Sequence, residues 1–118
     1  MLVFNKTKDL TLVSGMRKAD TFVTRLLGLI PRKSLGPEEG LWLEPCAMIH
    51  TCFMSFPIDA VFLDPGLKVV KVCRGLKPWR FSPWARGAKS VMELSSGTSA
   101  GRAEAGDILE IRFVNGAQ

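Results

Sequence analysis

The sequence contains a single histidine, His50, and only three cysteines, Cys46, Cys52 and Cys73. One histidine excludes a histidine-rich metal site. An odd cysteine count does not close into a disulfide framework and reads as reduced thiols in a reducing compartment. No run of about 18 apolar residues occurs, so no segment is expected to span a membrane. The start, Met1-Leu2-Val3-Phe4-Asn5-Lys6, meets charge too early for a signal peptide, which points to the cytoplasm. Internal repeats and low-complexity tracts are absent. Acid is missing from one long stretch. From Pro65 to Met92 the charged residues are Lys68, Lys71, Arg74, Lys77, Arg80, Arg86 and Lys89, with no Asp or Glu among them.

What is present is ordinary for a globular domain. The chain has 118 residues, 47% hydrophobic and 23% charged, which fits one domain over residues 1–118 with its own core. The net charge of +5 is concentrated in the acid-free stretch, and such a block favours anionic partners.

The hydrophobic pattern predicts mostly strands. Leu10 to Val13 reads as a short strand. Asp20 and Thr21 can cap a helix through Phe22, Val23, Leu26 and Leu27, ended by Gly28 and Pro31. Leu41 to Leu43 is strand-like, and Cys46 to Phe56 reads as a strand that stops at Pro57. Ile58 to Leu63 and Lys68 to Cys73 flank Asp64-Pro65-Gly66-Leu67, a hairpin turn by composition, with Val70 and Val72 expected on one face. Gly75 to Gly87 is a long loop. Ser90 to Leu94 is a strand, and Ser95 to Gly106 a small, polar stretch with room for one helical turn. In the last strand Leu109, Ile111 and Phe113 are expected to face inward. Short strands at close spacing with one short N-terminal helix predict a mostly β, sandwich-like or barrel-like domain.

The richest stretch chemically runs from Cys46 to Asp59. On a regular strand Cys46, Met48, His50, Cys52 and Met54 would share a face, a row of soft ligands suited to Cu(I). Neighbours in that row stand about 7 Å apart, which is too far for one ion, and Cys and Met are also ordinary core residues. No metal and no cofactor is therefore expected. Cys46 and His50 would form a thiol–imidazole pair if the strand bends, with Asp59 as the acid that orients the ring. Asp59 opens an apolar strand, so it must be exposed or paired. Arg25 is one candidate partner.

Leu76-Lys77-Pro78-Trp79-Arg80-Phe81-Ser82-Pro83-Trp84-Ala85-Arg86 interleaves aromatics with cations. Such a loop suits stacked bases and phosphates, an acidic protein or a small anion. The contrasting reading has Trp79 and Trp84 packed down to close the core while the cations are solvated.

Together these motifs resemble the prokaryotic domain of unknown function 192 family. The resemblance covers nearly the whole chain. It rests on Arg25-Leu26-Leu27-Gly28-Leu29, on Glu39-Gly40-Leu41-Trp42-Leu43 and on the run from Ile49-His50-Thr51 through Pro57-Ile58-Asp59 to Asp64. It continues in Pro78-Trp79-Arg80, Val91-Met92-Glu93-Leu94, Gly97-Thr98 and Gly106-Asp107. The resemblance implies a small β-sandwich-like fold and implies no activity. At Cys52 the family pattern more often holds an aromatic or other apolar residue, which counts against Cys52 as a ligand.

The resulting expectation is a non-catalytic binding module. His50, Thr51, Asp59 and Arg25 would line a polar pocket beside Trp79 and Arg80, and the ligand would be a small anion or a peptide. A Cys46/His50/Asp59 enzyme, a soft-metal protein and a nucleic-acid binder are the rivals.

Overall fold

Alternation of apolar and polar residues over four to eight positions forms half-buried strands. In the computed structural model, which describes residues 1–19, 34–51 and 54–113, every regular element is a strand. They are β1 (Leu2–Asn5), β2 (Leu10–Val13), β3 (Gly15–Ala19), β4 (Glu39–Leu43), β5 (Ile58–Leu63), β6 (Val69–Leu76), β7 (Ser90–Ser95) and β8 (Leu109–Arg112). The fold is mostly β. The helix expected from Asp20 to Leu27 lies outside the described residues, as do Arg25 and Cys52.

The strands form two sheets, β2-β1-β8 and β3-β4-β7-β5-β6. Every pair is antiparallel except β3 with β4. One core joins the sheets. Val3, Leu12, Val13 and Leu109 of the smaller sheet meet Met16, Trp42, Val61, Leu63, Met92 and Leu94 of the larger. Gly40 belongs to this contact. A Cβ there would lie 2.5 Å from Met16 Cε and 3.0 Å from Leu94 Cδ2.

A second core covers the opposite face of the larger sheet. Leu41, Leu43, Ile58, Ala60, Phe62 and Val91 lie under Ile49, Met54 and Ala85, which come from irregular segments. Strand β5 therefore has both faces covered, and all six of its residues are buried. Its near-continuous apolar run follows from that position.

The Asp64-Pro65-Gly66-Leu67 turn forms as expected. Asp64 Oδ1 accepts the Gly66 and Lys68 N–H groups, each at 2.9 Å. Three expectations need correction. Val70 and Val72 face opposite cores, because the β5–β6 register shifts between Phe62 and Leu63 and adds a bulge residue. Cys46 to Phe56 is not a strand; among its described residues only His50 makes a β-bridge, to Phe81. Phe113 is exposed, one residue beyond the end of β8.

Candidate functional site

Two irregular segments run antiparallel over the second core and form a ribbon. Cys46 N–H donates to Lys89 O (2.7 Å), Ala85 N–H to Ala47 O (2.8 Å), Ser82 N–H to Ile49 O (2.8 Å) and Thr51 N–H to Arg80 O (2.8 Å). Extended backbone alternates its side chains. Ile49 and Thr51 are buried and alternate with exposed Met48 and His50; opposite them Ser82 and Ala85 are buried and Phe81 and Trp84 exposed, with one extra residue at Pro83–Trp84 breaking the alternation. The outward side chains include the largest exposed apolar groups of this region: Met48 at 44% exposure, Trp79 at 56%, Phe81 at 66% and Trp84 at 69%. The His50 and Phe81 rings are 6.0 Å apart and tilted. The reading in which Trp79 and Trp84 close the core is thus overturned; Ile49, Met54 and Ala85 fill that space instead.

Cations accompany these apolar groups in sequence. Lys77, Arg80, Arg86 and Lys89 are all exposed. Next to Trp84 lies an open depression of about 500 Å³, lined in part by Cys46, Pro65, Ala88 and Lys89.

Thr51 sets the shape of the ribbon's far end. It is fully buried, and its hydroxyl donates to Lys77 O (2.5 Å) while accepting the Arg80 N–H (2.9 Å). Its carbonyl accepts the Trp79 N–H at 3.0 Å. Between these anchors Trp79 takes φ = 63°, the left-handed region that a bulky residue rarely occupies. Thr51 therefore holds the backbone at Trp79 in a costly conformation that leaves the indole largely in solvent.

Asp59 serves another purpose. It is fully buried on β5, and Oδ1 accepts the Gly75 N–H at 2.8 Å. Oδ2 accepts from Gly97 N–H (3.2 Å), Ser99 N–H (2.9 Å) and Ser99 Oγ (2.5 Å). The carboxylate thus ties the end of β6 to the turn after β7, and these four donors meet the demand for a partner that its buried position creates. The structure does not bring Asp59 and Thr51 to the surface that carries His50, Trp79 and Arg80, since neither exposes an atom to solvent. Cys46 is half-buried, and its thiol donates to Met48 O at 3.1 Å. Met54 is buried while Met48 is exposed, so the soft-ligand row does not share one face. Among the described residues no three His, Cys, Asp or Glu side chains converge as metal ligands would.

One titratable group escaped the reading of the residues. Glu93 lies on β7, in register with Leu41 on one side and Ala60 on the other, on the sheet face beneath the ribbon. Burial pushes its carboxyl up to about 7. The available signal was the one that marked Asp59, an acid inside an apolar strand. Burial likewise raises the Cys73 thiol, partly offset by Lys71.

Comparison with known proteins returns a family model described as Uncharacterized ACR, the domain of unknown function 192, matching residues 3–111. A UPF0127 protein of Pyrococcus horikoshii is 40% identical over 96 residues, covering 78% of this chain and 82% of its own. One from Pyrococcus furiosus is 38% identical over 112 residues, covering 92% and 96%. Among solved structures, a protein of unknown function from Novosphingobium aromaticivorans aligns with TM-score 0.79 at 23% identity, covering 93% of this chain and 82% of its own. One from Sinorhizobium meliloti, provisionally named a transcription regulator, aligns with TM-score 0.75 at 21% identity, covering 92% and 89%. At these identities the two structures establish a shared fold.

Proposed function

We propose, for a chain that belongs to the Uncharacterized ACR family, a non-catalytic binding function carried by the ribbon of residues 46–51 and 79–89. Its partner is anionic and partly apolar: a small amphiphilic anion or an acidic peptide segment with apolar side chains. One observation carries this reading. Met48, Trp79, Phe81 and Trp84 are all exposed on the paired segments of one ribbon, whose second segment and its approach also carry the exposed Lys77, Arg80, Arg86 and Lys89. Exposed apolar groups gathered on one such element, with charge beside them, mark interaction surfaces. The strained backbone at Trp79 supports it, since strain of this kind persists where position matters.

Within this reading His50, Trp79 and Arg80 touch the partner, while Thr51 and Asp59 position the loops that present them. Binding is favoured over thiol catalysis because the Cys46 thiol is turned to a backbone carbonyl and Asp59 is occupied elsewhere.

Dodecyl phosphate below its micelle concentration is a suitable probe, with acidic peptides containing Phe or Leu beside it. We expect a saturable change in tryptophan fluorescence that weakens with salt and drops at least tenfold in affinity, about 1.4 kcal/mol, in Arg80→Ala. Absence of any fluorescence or thermal-shift response to every anionic amphiphile and peptide would contradict the reading.

A further inference from the structure

The ribbon's composition narrows its partner. It exposes two indoles, one phenyl ring and one thioether, and Pro83 between Phe81 and Trp84 is exposed as well. Indoles favour the boundary between hydrocarbon and water, because the ring is apolar and its N–H is polar. Phe81 and Met48 carry no hydrogen-bonding group, so they gain most from a wholly apolar medium. The depression beside Trp84 is open, and the ribbon presents its apolar groups outward. Such a surface suits a broad, soft partner better than an enclosed small molecule. A single nucleic-acid strand would use the aromatics as stacking platforms but has no use for Met48 or Pro83.

The charges fit the same partner. Lys77, Arg80, Arg86 and Lys89 are exposed and interleave in sequence with Trp79, Phe81 and Trp84, and the whole run from Pro65 to Met92 lacks acid. Cations near an anionic bilayer are drawn to its headgroups, while apolar side chains between them enter the acyl boundary. No helix among the described residues is long and apolar enough to cross a membrane.

We infer that the ribbon docks on an anionic lipid surface, with Trp84, Phe81, Met48 and Trp79 entering the headgroup boundary and the four cations pairing with lipid phosphates. This rests on the ribbon being the binding site, and it names the partner.

The test is co-sedimentation of the full chain with vesicles of phosphatidylcholine, with and without about one third phosphatidylglycerol, in low and high salt. An oligothymidylate is titrated in parallel. We expect binding to the anionic vesicles only, released by salt. The double variant Phe81→Ala/Trp84→Ala should bind at least tenfold more weakly with an unchanged melting temperature, because both side chains lie outside the cores. Arg80→Glu/Arg86→Glu should do the same without altering the apolar face. Three results would each overturn the inference: no binding to anionic vesicles at low salt, vesicle binding that the double variants leave unchanged, or binding of the oligonucleotide alone. If vesicle binding fails while dodecyl phosphate still binds, the ribbon remains the site and only the lipid partner is wrong. If vesicles, dodecyl phosphate and the acidic peptides all fail, the proposed function fails with it.

Discussion

At the scale of the residue, buried polar groups are the most informative. Asp59 collects four donors, so its loss strands the N–H groups of Gly75, Gly97 and Ser99 together with the Ser99 hydroxyl. The two Ser99 donors are buried, each costing about 1–3 kcal/mol when stranded, so Asp59→Ala should lower unfolding free energy by about 2–6 kcal/mol in urea titration. Glu93 acts in the opposite sense. Its folded-state value of about 7 exceeds the ordinary 4.5, so between these pH values the folded chain holds a proton that the unfolded chain has released. Stability should therefore fall as pH rises through that window and level off above it, by up to about 3 kcal/mol. Glu93→Gln should flatten the dependence; an unchanged slope in urea midpoints across the window would count against it. Trp79 separates binding from stability. Trp79→Gly removes the left-handed strain at the cost of chain entropy, so stability should stay within about 1 kcal/mol of the parent or rise. Binding of dodecyl phosphate should weaken in the same variant.

At the scale of the element, legibility followed the regularity of the backbone. Strands β5 and β7 and the turn at Asp64 are plain in the sequence, because short apolar runs bounded by turn residues are local signals. Strand β1 was hidden by its position in a terminal segment read only for targeting. Strand β3, Gly15–Ala19, is short and carries Arg17 and Lys18 outward. Its place is secured by parallel pairing with β4, a long-range contact with no local signature. Bulges are equally invisible, since one extra residue near Val70 sends Val70 and Val72 to opposite cores. The site was half legible. Its cations, aromatics and His50 were singled out, but Trp79 and Trp84 were as consistent with core as with surface. Which of the two holds depends on Ile49, Met54 and Ala85 filling the space beneath. Gly40 shows how tightly β4 meets the first core: Gly40→Val would press Met16 and Leu94 apart and should cost about 1–3 kcal/mol by thermal or urea unfolding.

At the scale of the molecule, the two faces of the larger sheet divide the labour. One face joins the smaller sheet in a closed core, and the other supports the ribbon through a second core. The ribbon's irregular backbone is held to itself by Thr51 and Ser82 and rests on the larger sheet through Ile49, Met54 and Ala85, the arrangement expected of a recognition surface on a rigid scaffold. Because the acid-free run supplies both the cations and most of the exposed aromatics, salt should weaken partner binding far more than it weakens folding.

The central claim is that residues 46–51 and 79–89 form the binding surface, and amide chemical-shift mapping during a dodecyl phosphate titration tests it most directly. The account predicts saturable shifts concentrated at Met48, His50, Trp79, Arg80, Phe81, Trp84 and Arg86, with the Asn5 and Asp107 end of the molecule unmoved. Shifts centred on Asn5 and Asp107 instead, or none at saturating probe, would contradict it.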